Sequence, residues 1–391
     1  MDWNNRTAAN VKAIKPSGIR KFFDIAAQVK GVLSLSIGEP DFAAPDKVLD
    51  AMKASLDAKE TSYTGNSGMM ELREAISQHF EMRYGVHYDP KDEILVTVGV
   101  SEGLAMALLA ITEPGDEVII PDPAYVAYPA SVELAGGTPV FVPTYPEHDF
   151  KLTVEALEKV ITPKTKAIVI GYPNNPTGTV MSAEELMPIA KFAEEHDLIV
   201  LSDEIYCELM YGDAKFTSFA KLPGMRERTV IFNGFSKAYA MTGMRLGYVC
   251  APREGLAPIL KLHQYAIMCA NTTAQVGGIT ALKECDDDVE AMRQEYDRRR
   301  KVIYKGLCDM GLPVFEPKGA FYIFPDIRCT GMTSAEFCEK LVQEEKVAVV
   351  PGTAFGAQGE GFVRISYAAS MDTIQEALKR MARFVEKYRS C

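Results

Sequence analysis

The sequence of 391 residues predicts an α/β fold in which a large domain has a mostly parallel central sheet flanked by helices and a smaller domain is α+β. Between residues 94 and 249, short apolar runs alternate with longer amphipathic stretches, as in βα units around a buried sheet. After Asn271 the pattern changes to charged helical stretches and short strands. The length also exceeds what a single core usually holds. These observations together predict two unequal domains.

The central part of the chain is predicted to supply the sheet of the large domain. Seven apolar runs are predicted strands: residues 94–98, 118–121, 140–142, 167–171, 198–202, 230–233 and 246–250. Four stretches between them have helical spacing: residues 102–112, 125–134, 154–160 and 183–195. Ser182 and Glu185 form a capping-box pattern before the last of these.

The two ends of the chain are predicted to lie outside this sheet. Residues 15–18 and 37–40 are turn-rich, so the first forty residues are expected to form an arm and a bridge. The basic run 298–301 is predicted to be a solvated helix face. The expected division is 1–44 for the N-terminal arm and small-domain segment, 45–285 for the large ligand-binding domain, and 286–391 for the small C-terminal domain.

Composition excludes several classes of function. The net charge is −11 with no basic stripe, so nucleic acid is not an expected partner. No apolar run has the length of a membrane helix, so no membrane partner is expected. The eight cysteines form no Cys-x-x-Cys pair and no leader precedes the chain, which indicates a reduced, cytoplasmic protein. The five histidines lack metal-ligand spacing, and no metal is expected.

Residues 233–248 carry a possible cofactor site. Lys237 and Arg245 lie eight residues apart in a stretch bounded by small residues. A lysine amine can form a Schiff base with a carbonyl, and an arginine can clamp a phosphate bidentately. Pyridoxal phosphate carries both groups. An exposed turn between two strands would have the same pattern, so both interpretations stand on this segment alone.

Four other places carry candidate polar groups, three of them at predicted strand ends, where ligands bind in α/β sheets. The helix start at residues 99–103 could receive a phosphate, or be a plain βα turn. Asn175 could donate to a phenolate or carboxylate, or stabilise a turn. Asp203 and Tyr206 could share a helical face, or Asp203 could be a helix cap. Arg364 lies in an apolar strand and needs an anion, either a substrate carboxylate or a structural glutamate.

Taken together, these segments resemble the fold-type I, pyridoxal-phosphate-dependent aminotransferases of class I/II, the aspartate/aromatic aminotransferase family. The resemblance covers essentially the whole chain, because the matching segments follow in the family's order. They are Ser36-Ile37-Gly38-Glu39-Pro40-Asp41-Phe42, Tyr63-Thr64-Gly65-Asn66-Ser67-Gly68, Asp122-Pro123-Ala124-Tyr125, Pro173 to Gly178, Ser202-Asp203-Glu204-Ile205-Tyr206, Ser236-Lys237 to Gly247-Tyr248, Lys318-Gly319-Ala320-Phe321-Tyr322 and Arg364-Ile365-Ser366-Tyr367.

The resemblance implies roles for the catalytic residues. Lys237 would hold pyridoxal 5′-phosphate as an aldimine and move a proton once the substrate amine has displaced it. Asp203 would keep the pyridine nitrogen protonated, which makes the ring an electron sink. Asn175 and Tyr206 would donate to the ring phenolate. Tyr125 would stack on the ring.

The resemblance also implies the binding residues and a dimer. The phosphate would be bound by Ser236, Arg245 and the helix start at Ser101, Glu102 and Gly103, with Tyr63 reaching in from a second subunit. The α-carboxylate of the substrate would be gripped by Arg364, helped by Asn175 and the backbone N–H of Gly38. The chain is therefore expected to be a homodimer with shared active sites, acting on amino acids and 2-oxo acids by ping-pong half-reactions.

The sequence differs from part of the family at a position that is expected to contact the substrate side chain. Ser101 stands where one bacterial group of aspartate aminotransferases has a lysine for the distal carboxylate, although Lys15, Arg20 or Lys21 could replace it. The expected donor is therefore an aromatic L-amino acid or aspartate, with a slight preference for the aromatic one, and the acceptor a 2-oxo acid such as 2-oxoglutarate. The alternatives are a carbon–sulfur β-lyase on the same fold and, more remotely, a non-catalytic cofactor-binding regulator.

Overall fold

A computed structural model describes residues 1–14, 18 and 29–389 of the chain. Its helices are α1 (Ala9–Ala13), α2 (Asp46–Asp57), α3 (Met70–Tyr84), α4 (Gly99–Ile111), α5 (Ala127–Leu134), α6 (Val154–Leu157), α7 (Ala183–Glu195), α8 (Arg253–Ala266), α9 (Thr272–Glu284), α10 (Asp286–Asp309), α11 (Ser334–Glu345) and α12 (Met371–Tyr388). Its strands are β1 (Leu33–Ser34), β2 (Ile94–Thr97), β3 (Glu117–Asp122), β4 (Thr138–Pro143), β5 (Thr165–Ile170), β6 (Ile199–Asp203), β7 (Thr229–Gly234), β8 (Gly247–Cys250), β9 (Tyr322–Ile323), β10 (Val347–Ala348), β11 (Val350–Pro351) and β12 (Val363–Ser366).

The central element is a seven-stranded sheet of order β2-β8-β7-β6-β5-β3-β4. Only β8 runs antiparallel to its neighbours β2 and β7, and the remaining neighbouring pairs are parallel. Strands β2 and β7 are buried along their whole length, which explains why they read as continuous apolar runs rather than alternating ones. The predicted α/β class and all seven predicted strands are therefore confirmed.

The predicted helices between these strands are present, with differences at their ends. Helix α7 has the predicted bounds and its Ser182–Glu185 capping box. Helix α4 begins at Gly99, earlier than predicted, because a glycine with φ of +77° allows the chain to turn directly from β2 into the helix. Helix α6 ends at Leu157, short of the predicted residue 160.

The C-terminal part forms a second, smaller core. Strands β11, β12 and β9 form an antiparallel sheet, and α10, α11 and α12 contribute to the same apolar cluster around Phe321 and Phe337. The N-terminal segment joins this core, because β1 pairs in parallel with β10 and Leu35 belongs to the cluster. The site described below lies between this core and the large sheet.

The prediction that residues 298–301 form a solvated helix face is wrong for two of the four. Arg299 and Arg300 are only 6% and 3% exposed. Arg299 pairs with Asp41 at 2.7 Å, and Arg300 pairs with Glu316 at 2.6 Å. Consecutive residues of a helix point about 100° apart, so a run of four surrounds the helix and some members must face its packed side. The burial is compensated by these partners and by Glu295 and Asp297 on the same helix.

Two further findings concern the described part of the chain. No helix there is long and apolar enough to cross a membrane. No cluster of three or more His, Cys, Asp or Glu side chains is placed to hold a metal ion within residues 1–14, 18 and 29–389. The arm residues Lys15, Arg20 and Lys21 lie outside the described residues.

Candidate active site

A cavity of about 870 Å³ opens at the carboxyl ends of the parallel strands, between the large sheet and the smaller core. Asp203 ends β6, Lys237 follows β7, and Arg364 comes from β12 of the smaller core. Most of the predicted site residues line this one cavity: Gly38, Ser101, Tyr125, Asn175, Asp203, Tyr206, Ser236, Lys237, Arg245 and Arg364. The structure therefore brings together residues that are spread over more than three hundred positions of the sequence.

Lys237 has the environment of a reactive amine. Its Nζ donates to the carbonyl oxygen of Gly38 at 2.7 Å and lies 5.9 Å from the ring centroid of Tyr206 and 5.7 Å from that of Phe321. Burial, assisted by the positive charge of Arg364, lowers the pKa of Lys237 from 10.5 to about 8. A large fraction of the amine is therefore neutral near pH 8, which is the form that attacks a carbonyl carbon.

Asp203 is a buried carboxylate held by two donors. One oxygen accepts from the hydroxyl of Tyr128 at 2.8 Å and the other from the backbone N–H of Ile205 at 3.2 Å. Burial raises the pKa of Asp203, and these two hydrogen bonds together with the positive charge of Lys237 oppose the shift. The arrangement suits a carboxylate that faces a cationic ring nitrogen.

Tyr128, which the sequence did not single out, donates to the predicted site residue Asp203. It lies on α5, three residues after Tyr125, whose ring it meets edge-to-face at 5.6 Å. Residues three apart in the predicted helix 125–134 would lie on the same side, so this spacing was the available signal. Tyr322 was also missed as a site residue, although it stands in a segment that carried the family resemblance; its hydroxyl lies 2.8 Å from that of Tyr206.

Arg364 is a buried cation with donors to spare. Its Nη1 donates to Asn175 Oδ1 at 3.0 Å and its Nη2 to the carbonyl oxygen of Ser36 at 2.6 Å. The guanidinium carbon lies 4.6 Å from the ring centroid of Tyr322 and 4.8 Å from that of Phe355. Burial lowers the pKa of Arg364, yet a guanidinium stays protonated in proteins.

The spare donors of Arg364 point to an anionic ligand. Its buried Nε has no hydrogen-bond partner among the described residues. Its hydrogen bonds within the described chain go to a side-chain amide oxygen and a backbone carbonyl oxygen, not to a carboxylate. Because a buried charge without an anion is costly, and an arginine fork matches a carboxylate, the side chain is prepared for a carboxylate that enters the cavity.

One end of the cavity has the features of a phosphate site. A Cβ at Gly99 would lie 2.6 Å from Arg245 Nη2, so the glycine leaves room for the guanidinium at the start of α4. Arg245 itself has φ of +53°, and its Nη1 donates to the carbonyl oxygen of Thr242 at 2.9 Å. Ser101 and Ser236 line the cavity beside it. A helix start, two hydroxyls and an arginine are a typical phosphate-binding set.

Three predicted site residues do not line the cavity. Glu102 accepts from the backbone N–H of Val98 at 2.7 Å, and its other oxygen lies 2.8 Å from His263 Nδ1. Gly103 packs against β8, where a Cβ would meet Val249 at 2.7 Å. Tyr63 is 80% exposed. The side chains of Glu102 and Tyr63 therefore touch no part of this site within one chain.

Comparisons with known proteins identify the family. The family model described as aminotransferase class I and II matches residues 30–381. The chain belongs to this family. The putative aminotransferase YugH of Bacillus subtilis is 53% identical over 96% of this chain and 97% of its own length. The aspartate aminotransferase of Pyrococcus abyssi is 50% identical over 96% and 97%. The crystal structure of the aromatic aminotransferase from Pyrococcus horikoshii matches with a TM-score of 0.90 and 49% identity, over 94% of this chain and 99% of that one.

The chain is accordingly a pyridoxal-phosphate-dependent aminotransferase of fold type I that works by two ping-pong half-reactions. The residues of the cavity fit the cofactor on their own chemistry. The amine of Lys237 is poorly solvated and suits the aldehyde of the cofactor, and the buried carboxylate of Asp203 suits its ring nitrogen. The space that Gly99 leaves beside Arg245 suits the phosphate of the cofactor. The predicted family, fold and cofactor are confirmed.

Proposed function

We propose that this aminotransferase moves the amino group of an aromatic L-amino acid to 2-oxoglutarate or a similar 2-oxo acid, and that it accepts aspartate less well. The lining of the cavity carries this proposal. Among the described residues, its only basic side chains are Lys237, Arg245 and Arg364, and each of them has another task. The described lining thus leaves no cation for the distal carboxylate of aspartate.

The rest of the lining supports an aromatic side chain. Val100, Val126 and Ile205 line the cavity together with Tyr125 and contribute apolar side chains to it. Apolar surface of this kind stabilises an aromatic ring by removing it from water. The names of the relatives do not decide between an aromatic donor and aspartate, because one relative is named an aspartate aminotransferase and another an aromatic aminotransferase. The second carboxylate of 2-oxoglutarate lies one carbon farther from the reacting centre than that of aspartate, and we propose that arm residues outside the described part bind it at that distance.

Three residues would perform the proton chemistry. The cofactor, when bound, would supply a cationic ring that accepts electrons from the substrate Cα. Lys237 Nζ would take up the proton that leaves the substrate Cα and hold it for return during the amino transfer. Asp203 would keep the proton on the pyridine nitrogen, and the Tyr206 hydroxyl would donate to the phenolate oxygen. Arg364 would hold the α-carboxylate so that the Cα–H bond faces Lys237.

The remaining site residues would bind the cofactor. Asn175 would donate to the phenolate and Tyr125 would stack on the ring. The phosphate would be held by the backbone N–H groups of Ser101, Glu102 and Gly103 at the start of α4 and by the side chains of Ser101, Ser236 and Arg245. Tyr63, exposed in one chain, would complete this site from a second subunit, so we propose a homodimer.

We further propose a cytoplasmic location. We also propose the division into residues 1–44, 45–285 and 286–391, and the pairing of β1 with β10 supports the assignment of the N-terminal segment to the small domain.

A donor panel tests the proposed function. Tyrosine, phenylalanine and aspartate are each supplied with 2-oxoglutarate, and glutamate formation is measured. We expect kcat/KM to be highest for an aromatic donor. Aspartate as the best donor would contradict the donor proposal, and 2-oxo acid release without any acceptor would indicate lyase chemistry instead of transamination.

A further inference from the structure

A carboxylate that does not line the cavity ties the large sheet to the smaller core. Asp122, the last residue of β3, is 4% exposed. Its Oδ2 accepts from the backbone N–H of Ala357 at 3.0 Å, and both of its oxygens lie 3.4 Å from the backbone nitrogen of Gln358. Beside them, the N–H of Ala124 donates to the carbonyl oxygen of Phe355 at 2.9 Å. Hydrogen bonds to a charged acceptor are stronger than neutral ones, so the bonds to the Asp122 carboxylate contribute more to this contact than the neutral bond between Ala124 and Phe355.

The backbone of the facing loop is shaped to receive this carboxylate. Gly356 has φ of +136°, a conformation that side chains disfavour, and a Cβ there would lie 1.8 Å from Asp122 Oδ1. The loop therefore passes directly against the carboxylate, at a position that only glycine permits. Burial raises the pKa of Asp122 to about 6, while the two amides oppose the shift, so the group is ionised at pH 8.

The same loop carries one wall of the Arg364 site. Phe355, 4% exposed, lies directly before Gly356, and its ring centroid is 4.8 Å from the Arg364 guanidinium carbon. On the other side of the junction, Tyr125 follows Asp122 by three positions and lines the cavity. Asp122 thus connects the segment that carries Tyr125 with the ring that packs against Arg364.

We propose that Asp122 is a positioning residue for substrate binding: by binding the amides of Ala357 and Gln358 it holds Phe355 against Arg364 and so sets the place of the guanidinium relative to the cofactor side of the cavity. This inference depends on the proposed role of Arg364 in gripping the substrate carboxylate. It assigns Asp122 no contact with substrate or cofactor. Its loss should therefore weaken carboxylate binding without altering the bound cofactor.

The test compares Asp122→Ala and Asp122→Asn with a matched control, Asp116→Ala, in the cofactor-loaded enzyme at pH 8. Asp116 lies at the opposite end of β3 and forms a partly exposed ion pair with Lys166. The measurements are kcat, the donor KM, the cofactor absorption spectrum, and the Kd of 3-phenylpropionate, an unreactive monocarboxylate. For Asp122→Ala we expect KM and Kd to rise about tenfold, kcat to stay within about threefold, and the spectrum to be unchanged.

The other variants sharpen the test. Asp122→Asn keeps one acceptor oxygen and should show a smaller rise, whereas Asp116→Ala should leave all four quantities unchanged. Gly356→Ala should displace the carboxylate and raise the KM by itself, because its Cβ would lie where Asp122 Oδ1 lies now. If Asp122→Ala does not fold, Asp122→Asn and Gly356→Ala carry the test.

The outcomes separate this inference from the proposed function. If Arg364→Ala raises the KM and neither Asp122 variant does, the inference is overturned and the role of Arg364 stands. If Arg364→Ala leaves the KM unchanged, the proposed carboxylate site itself fails.

Discussion

Replacing Arg364 with alanine should strongly lower kcat/KM of the aminotransferase for its amino-acid substrates, because the contact with their α-carboxylate is lost. Of the five N–H donors of a guanidinium, one is used on Asn175 and one on Ser36, and Nε is unpartnered. Enough donors remain for a bidentate contact with a substrate carboxylate. At about 1.5–3 kcal/mol for each charge-assisted hydrogen bond, two bonds are worth about 3–6 kcal/mol. The expected loss in kcat/KM is therefore about 10²- to 10⁴-fold.

The assay measures steady-state transamination and the absorption of the bound cofactor in parallel. Arg364→Lys keeps the charge but loses the planar fork, so its loss should be intermediate. The matched control is Arg298→Ala, which removes an exposed arginine paired with Glu295 on α10 and should change kcat/KM less than about twofold. Cofactor absorption should survive in all three variants. A variant Arg364→Ala with a normal donor KM and a lost cofactor would refute the carboxylate role.

Three further outcomes are expected. The rate at which the apoenzyme recombines with added pyridoxal phosphate should rise with pH around an apparent pKa of about 8, because burial lowers the pKa of Lys237 and only the neutral amine attacks the aldehyde. A midpoint near pH 10.5 would contradict this environment of Lys237. Tyr128→Phe should lower kcat about tenfold while the KM for the amino-acid substrate changes little, because Asp203 loses the hydroxyl at 2.8 Å whose hydrogen bond favours the ionised carboxylate. An unchanged kcat in stopped-flow and steady-state measurements would show that this hydroxyl is dispensable. Mixing inactive Tyr63→Ala and Lys237→Ala subunits should restore part of the activity, since one site of the mixed dimer would then be intact, and no recovery at all would argue against a shared site.

Much of the fold could be predicted because most strands of the large sheet are buried, and β2, β7 and β8 are buried along their whole length. Such strands are continuous apolar runs, and the capping box of α7 marks a helix start by side-chain chemistry within four residues. The same locality explains why Asp203 was found, because a polar residue at the end of a buried strand must lie at the sheet edge where ligands bind. Lys237 was found with Arg245, because the two lie only eight residues apart in one segment.

The interactions that the sequence did not reveal join residues far apart in the chain. Arg299 meets Asp41 across 258 positions, and Asp122 meets the amide of Ala357 across 235. A charge run carries no local sign of such a partner, so the burial of Arg299 was missed. Tyr128 was missed for another reason: its hydroxyl matters only because Asp203 lies opposite, and that distance is set by the packing of α5 on the sheet.

The most direct test of the site is to identify the lysine that binds the cofactor. The holoenzyme is reduced with borohydride, digested, and the peptide that carries the reduced cofactor is sequenced by mass spectrometry. We expect the label on Lys237, whose amine is poorly solvated in the cavity, and none in Lys237→Ala. Label on any other lysine of the wild-type enzyme would contradict the assignment of this cavity as the active site.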